Sequence, residues 1–311
     1  MTKNELKKLA AQKSIDEIKS GMIIGLGSGS TFQYALEIIA EKIKNGELKD
    51  IKGVPSSIET EKRSKELGIP VITLNELIIE NLSAISLADG EWRIKKDQMN
   101  STILNSQFSI LNSKPSILNS QFSILNSKPS IPNSQFSILN SQFAIDITLD
   151  GADEVTVSHP DPDLSGEGSK VKGSKSFHLI KGGGGAHLRE KVLFQNSKRT
   201  VVIIDDSKLS DSLGSKSLLP VEVIPFAVES EKKFLEWLGA KVSLRLYEDG
   251  SDFVTDEGNL ILDADFGGIK NLVELNSLLN NRAGIVGHGL FLDAASVVYC
   301  ASDDGVRVYK S

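Results

Sequence analysis

Met22-Ile23-Ile24-Gly25-Leu26-Gly27-Ser28-Gly29-Ser30-Thr31 passes from an apolar triplet into a turn rich in glycine and hydroxyls, and Phe32 to Lys44 beyond it carries the apolar period of an amphipathic helix. Strand, tight turn and helix in that order open a doubly wound α/β unit. Upstream, Asn4 to Ser20 reads as one helix with Leu6, Leu9, Ala10 and Ile18 on a single face, closed by Gly21. Downstream, Ile51 to Val54 is the next strand, Ile58 to Leu67 the next helix and Pro70 to Thr73 a third strand. Such alternation predicts a parallel sheet with right-handed crossovers. From Glu222 onward the elements become shorter and mixed, with helices at Glu229 to Leu238 and Asn271 to Leu279, and strands near 242–246, 252–254 and 260–262. Gly287 to Ser311 returns to long β-prone runs. The fold class expected is α/β, with a doubly wound, mostly parallel, Rossmann-like sheet over 1–224 and 287–311 and a second, smaller α+β domain at 225–286.

The turn after Met22-Ile23-Ile24 differs from its best-known relatives. A Walker loop needs a lysine before its Ser or Thr, and Gly29-Ser30-Thr31 has none. A dinucleotide fingerprint wants an acid at the end of the second strand, where Val54 is instead followed by Pro55-Ser56-Ser57. What remains is a helix N-terminus whose N–H groups, with the hydroxyls of Ser28, Ser30 and Thr31, suit one small anion such as a sugar phosphate.

Two further stretches carry chemistry. Ala144 to Leu149 reads as a strand, which puts Asp150-Gly151-Ala152-Asp153-Glu154 at its C-terminal end, where open α/β sheets hold their ligands. Phe177-His178-Leu179-Ile180 is a short strand feeding Lys181-Gly182-Gly183-Gly184-Gly185, and a helix over Leu188 to Phe194 puts Glu190 in its first turn. Four glycines leave their N–H groups unshielded, as an oxyanion or phosphate nest requires. Acids, a lysine, a glycine nest and a separate Glu are what proton transfer beside a carbonyl needs: a base, a relay, and donors for an enolate oxygen. Arg199 to Ile204 is a strongly β-prone run, and Asp205-Asp206-Ser207-Lys208 leaves its end, so Lys208 is expected on the same rim.

These segments resemble the signature stretches of type A ribose-5-phosphate isomerase. Thr2 to Lys8, Gly25 to Thr31, Asp205 to Lys208, Leu219 to Pro225 and Val254 to Asp263 agree with the family in its order, so the likeness covers nearly the whole chain apart from insertions at about 80–143 and 157–175. It implies an aldose-ketose isomerase that interconverts D-ribose 5-phosphate and D-ribulose 5-phosphate through an enediolate, a step of the non-oxidative pentose phosphate pathway, with no cofactor. It implies Glu190 as the base, Asp150 for ring opening and hydroxyl protons, Lys181 with the Gly182, Gly183 and Gly184 amides for the enediolate, and Asp153 to orient the lysine or the sugar. Ser28, Gly29, Ser30 and Thr31 would contact the substrate, with Lys7 and Lys208 assisting at its phosphate. The partner expected is a small-molecule sugar phosphate and, by resemblance, a second copy of the chain in a dimer or tetramer. The family departs from this sequence at His187, where it commonly has a small or apolar residue; a helix-start histidine is expected to face solvent. Two other readings stay open on the residues alone: a related-fold enzyme such as an aminosugar-phosphate deaminase, and a non-catalytic sugar-phosphate sensor.

Composition bounds the rest. A net charge of −6 over 311 residues, with no long basic run, argues against a nucleic-acid surface. Cys300 is the single cysteine, within the apolar run Val297-Val298-Tyr299-Cys300-Ala301, which suits a core position and a reducing compartment. The first residues lack the apolar region of a signal peptide, and no run approaches a membrane span, so a cytoplasmic, membrane-free protein is expected. His159, His178, His187 and His288 have no metal-ligand spacing, and no metal is expected. The segment Asn105 to Leu118 recurs almost unchanged from Asn119 to Pro132 and in part from Asn133 to Asn140, a 14-residue period that reads as a duplicated, tolerated surface insertion.

Overall fold

A computed structural model describes residues 1–80, 144–158 and 175–311. The 14-residue repeats and the loop after Ser158 lie outside the described residues. Residues 74–142 form a unit separate from Met1–Thr73 with Phe143–Ser311, and of it only a helical stretch, 74–80, is described.

The main sheet contains β1 (Ile23–Leu26), β2 (Lys52–Pro55), β3 (Ile147–Gly151), β6 (Thr200–Asp205), β12 (Val297–Ser302) and β13 (Gly305–Lys310) in the order β13-β12-β6-β3-β1-β2. Every neighbouring pair is parallel except the edge hairpin β12–β13. Strand periodicity explains how it is covered on both faces. Along β6, Val201 and Ile203 point into the core beneath α1 (Lys3–Ser14) and α2 (Gly29–Lys44), while Val202 and Ile204 point the other way, towards Phe194 and Phe291. Strand β12 repeats the alternation with Val297, Tyr299 and Ala301 against Val298 and Cys300. Cys300 is thus a free, buried core residue, its thiol pushed up to about 11 chiefly by burial.

The helix expected over Asn4 to Ser20 ends earlier, at Ser14. The Ser14 hydroxyl bonds back to the Ala11 carbonyl at 2.7 Å, an interaction that competes with helix continuation. The next residues form one 3-10 turn, Ile15–Glu17, whose last carboxylate is drawn away to Arg199 (3.1 Å) and to the Tyr299 hydroxyl (2.8 Å). At the other end Thr2 and Glu5 form a reciprocal capping box. After β2, α3 (Ile58–Glu66) starts where the Ser57 hydroxyl accepts the Thr60 N–H at 3.0 Å. Pro70 to Thr73 is only a bridge, Gly53 with Val71, rather than a full strand.

The glycine loop does not leave the main sheet. Strand β3 runs through Asp150 and Gly151, turns at Ala152-Asp153, and continues as β4 (Glu154–Ser158), which pairs antiparallel with β5 (Ser176–Ile180) in a separate sheet completed by β11 (Leu290–Phe291). The register Glu154↔Ile180 and the bond from Asp153 N–H to the Ile180 carbonyl (2.9 Å) set the acids beside Lys181. A third sheet joins β7 (Leu219–Val223), β8 (Lys241–Leu244), β9 (Leu260–Asp265) and β10 (Ile285–His288) in the order β10-β7-β9-β8. It packs on α5 (Val228–Trp237) and α6 (Leu272–Asn280) and draws strands from both sides of the 225–286 stretch. The helix after the glycines, α4, spans His187–Gln195. Among the described residues, no helix is long and apolar enough to cross a membrane.

Candidate active site

The end of β1 and the end of β3 approach so closely that only glycine fits between them. A Cβ on Gly27 would lie 2.4 Å from the Asp150 carboxyl carbon and 2.5 Å from the Leu149 carbonyl oxygen. Because Gly27 leaves that room, Asp150 Oδ1 accepts the Ser28 N–H at 3.0 Å and the Gly151 N–H at 2.7 Å. The Asp150 side chain is wholly buried.

Lys181 is almost as deeply buried, and its Nζ stands 3.0 Å from Asp150 Oδ2, 3.2 Å from Glu190 Oε2 and 2.5 Å from the Gly151 carbonyl. One cation therefore serves two carboxylates in a region with little solvent. Burial opposes charge on Lys181, but Asp150 and Glu190 outweigh it and hold its proton well above the usual lysine range. Asp150 is the group that yields. Burial first, and the neighbouring Glu190 charge second, raise it to about 7 against the pull of Lys181.

Glu190 sits in the first turn of α4, where an acid complements the helix dipole. Its Oε1 accepts the Ser28 hydroxyl at 2.5 Å. Ser28 is also the residue before α2, where its hydroxyl would ordinarily cap the helix; it makes no such bond. The hydroxyl holds Glu190 instead, which leaves N–H groups in the first turn of α2 without that partner. The rest of the nest is close by: Lys7 Nζ donates to Ser30 Oγ at 2.8 Å, and Thr31 is buried. Asp153 accepts the Gly183 N–H at 2.8 Å. Gly182 and Gly185 take positive φ (100° and 83°), and the Gly185 N–H closes the turn onto the Gly182 carbonyl at 2.9 Å.

One pocket of about 90 Å³ is lined by Lys7, Ser28, Gly29, Ser30, Thr31, Asp153, Lys181, Gly182, Gly183, Gly184, Glu190 and Lys208, together with Gly151 and Ala152. Asp150 stands apart from the other residues proposed from sequence. It does not line the pocket, and its buried Oδ2 reaches no nearer to it than Lys181. A second hollow, of about 300 Å³, shares Asp153, Gly183 and Lys208 and is completed by Ser217, Leu218, Pro220, Arg245 and Asp263.

His187 corrects the solvent-facing expectation, since its ring is fully buried. Burial, followed by the nearby cations Lys191 and Arg245, lowers it to about 3, so the imidazole is neutral. It packs beneath Gly182, where a Cβ would come within 2.6 Å of its Nδ1, and its Nε2 lies 3.7 Å from Glu222 Oε2. Glu222 in turn is raised by burial, while its other oxygen accepts from Thr255 (2.8 Å) and Asn259 (2.9 Å). Sequence reasoning also missed Arg245; the available signal was a lone arginine in the alternating run Val242-Ser243-Leu244-Arg245-Leu246.

A helix N-terminus with hydroxyls and lysines in the same pocket, joined to a buried acid-lysine-acid cluster and a glycine nest, brings together the groups that holding an anion and moving a proton would use. The comparisons with known proteins agree on one family. The family model described as ribose 5-phosphate isomerase A (phosphoriboisomerase A) matches residues 130–305. The chain is 39% identical to the ribose-5-phosphate isomerase A of Desulfatibacillum aliphaticivorans over 100% of this chain and 99% of that protein, and 36% identical to that of Chloroflexus aurantiacus over 97% and 91%. Among solved structures, a D-ribose-5-phosphate isomerase in complex with phospho-erythronic acid superposes with a TM-score of 0.70 at 27% identity, covering 100% of both chains. The ribose 5-phosphate isomerase A of Methanocaldococcus jannaschii follows with a TM-score of 0.68 at 27% identity and the same coverage. The chain belongs to the ribose 5-phosphate isomerase A family.

Proposed function

We propose that this protein interconverts ribose 5-phosphate and ribulose 5-phosphate, with the residues of the pocket in the roles the family resemblance suggests. The observation that carries the reading is the convergence of Glu190, Lys181 and the glycine nest on one pocket that the N-terminus of α2 also lines, joined to Glu190 through the Ser28 hydroxyl. That wall, with Ser30, Thr31, Lys7 and Lys208, suits the phosphate, which leaves the sugar's first two carbons towards Glu190. Glu190 then takes the proton from one carbon and returns it to the other, and the Ser28 hydroxyl holds the carboxylate for that shuttle. Negative charge that builds on the oxygens meets Lys181 and the exposed Gly184 amide. Asp153 orients the glycine loop through Gly183. Asp150, raised to about 7, is suited to hold a proton during ring opening, passing its influence through Lys181 and the Ser28 amide.

Neither the deaminase nor the sensor alternative is favoured by any of these likenesses. Phe226, Trp237 and Val273 stand largely in the open on the elements beside the third sheet, which supports a homo-oligomer. Light scattering that gives a monomer mass would count against that. A cytoplasmic site of action suits the free buried cysteine. The isomerase reading is tested with purified protein in a coupled assay that follows ribulose 5-phosphate formation. Turnover of ribose 5-phosphate, with none of unphosphorylated ribose, is expected; a folded protein inactive on ribose 5-phosphate would overturn it.

A further inference from the structure

Arg245 lies just past the end of β8, and its side chain is only 14% exposed. Its guanidinium is held as a fork: Nε donates to Asp263 Oδ2 at 2.8 Å, and Nη2 donates to Oδ1 of the same carboxylate on β9. The guanidinium is planar and rigid, so gripping one edge sets the direction of the other. That remaining nitrogen, Nη1, donates to the carbonyls of Gly182 (2.8 Å) and Gly183 (3.1 Å). Phe253, whose N–H donates to the Arg245 carbonyl at 3.0 Å, adds a second support. Arg245 lies 5.7 Å from its ring centroid, and the ring fills the space where a Cβ on Gly185 would be, 2.5 Å away.

The direction of these bonds matters for the pocket. A trans peptide sends its C=O and its N–H opposite ways. A cation fixed on the Gly182 and Gly183 oxygens therefore turns the N–H groups of Gly183 and Gly184 away from the third sheet. The first of these meets Asp153 at 2.8 Å. The second belongs to a pocket-lining residue around which nothing would touch a Cβ within 4 Å. A charged donor on a carbonyl also polarises its amide and makes the attached N–H a stronger donor. Glycines have no side chains to hold such a loop in shape, so an outside grip is what converts it from a flexible turn into a preorganised one.

We propose that Arg245, locked by Asp263, is a positioning residue for the isomerisation: through the Gly183 carbonyl it aims and polarises the Gly184 amide at the oxyanion that develops on the substrate, while its bond to the Gly182 carbonyl sets the Gly183 amide on Asp153. The proposal rests on the isomerase reading of the pocket. An amide aimed at charge that exists only during the reaction raises turnover more than it tightens ground-state binding.

The test compares Arg245→Met, Arg245→Lys and Asp263→Asn with the wild type for kcat, KM, melting temperature and two affinities: inorganic phosphate, and 4-phosphoerythronate, whose carboxylate puts negative charge where the enediolate would carry it. For Arg245→Met, kcat should fall by roughly 10–100-fold with KM changed by less than about threefold. Phosphoerythronate should weaken by about tenfold while phosphate stays within about twofold. Arg245→Lys should recover part of kcat through its charge, and Asp263→Asn, which keeps the volume but frees the fork, should show the same split more weakly. Should Arg245→Met fail to fold, the kcat-to-KM split of Asp263→Asn decides the matter. Folded variants with kcat within about threefold of wild type, or with both ligands weakened equally, would overturn the proposal. Those outcomes leave an active wild type and so differ from an inactive wild type, which would remove the isomerase reading itself.

Discussion

The two walls of the pocket are built on opposite electrostatic plans. The α2 wall is open and locally positive: Ser30 is exposed and its hydroxyl accepts from Lys7, with Thr31 beside it, and Lys208, from the turn after β6, lines the same pocket. The wall it meets at Ser28 is closed and overcharged. Lys181 carries 3% side-chain exposure between two carboxylates of 1% and 4%, so a cluster with one positive and two potential negative charges is kept out of water. An exposed wall can bind and release an anion at little cost, because solvent screens it. A buried cluster can do neither, but every charge in it acts on its neighbours through a weak dielectric. On the reading proposed above, holding falls to one wall and chemistry to the other, and substitutions should separate the two.

The largest effect is expected from Lys181→Met. Removing the one cation leaves Asp150 and Glu190 buried together, and breaking such a pair costs about 3–5 kcal/mol. The variant should melt well below wild type and lose turnover almost entirely, by roughly 10³-fold or more if Lys181 is the main counter-charge to the enediolate. A folded variant with near-normal kcat would mean that the buried cluster is structural only.

Lys208→Ala and Ser30→Ala act on the open wall and should be milder. Each should weaken ribose 5-phosphate and inorganic phosphate in parallel, by roughly 1–2 kcal/mol for the lysine and less for the serine, with melting temperature little changed. Calorimetric titration of phosphate checks this directly. If ribose 5-phosphate weakens while phosphate does not, the phosphate is held elsewhere.

The smallest effect concerns pH. Asp150 is raised to about 7 in the folded protein from an ordinary value of 3.8, chiefly by burial. Between those values the native state binds the proton that the unfolded chain has already released. Stability contributed by Asp150 therefore falls as pH rises through that window and levels off above it. Asp150→Asn has no such proton, so its melting temperature relative to wild type should climb from about pH 4 to about pH 7 and then hold steady. A difference that does not vary with pH would show that Asp150 is ionised throughout.

How much of this was legible in sequence depended on how local the cause was. The alternation in β6 and β12, the turn after β1 and the acid in the first turn of α4 are written in neighbouring residues, and they appear much as the pattern implied. The early end of α1 turned on the back-bonded hydroxyl of Ser14 and on Glu17 reaching Arg199 and Tyr299, contacts made only once the sheet exists. That the glycine loop hangs from a second sheet follows from the pairing of β4 with β5 across the intervening insertion, which no local period reports. His187 looked like a solvent-facing helix start because nothing nearby in sequence reveals that Glu222 and Gly182 close over it. Arg245 was invisible as a site residue for the same reason: its partners, Gly182, Gly183 and Asp263, lie on two other segments.

The division between holding and chemistry is tested most directly by Glu190→Gln, measured for turnover and for phosphate affinity on the same preparation. Glutamine keeps the size of the side chain and can still meet the Ser28 hydroxyl, but it cannot take a proton. The kcat should fall by at least roughly 10²–10⁴-fold while the affinities for ribose 5-phosphate and inorganic phosphate stay within about threefold of wild type. A kcat within about threefold of wild type, or a loss of phosphate binding as large as the loss of turnover, would contradict it.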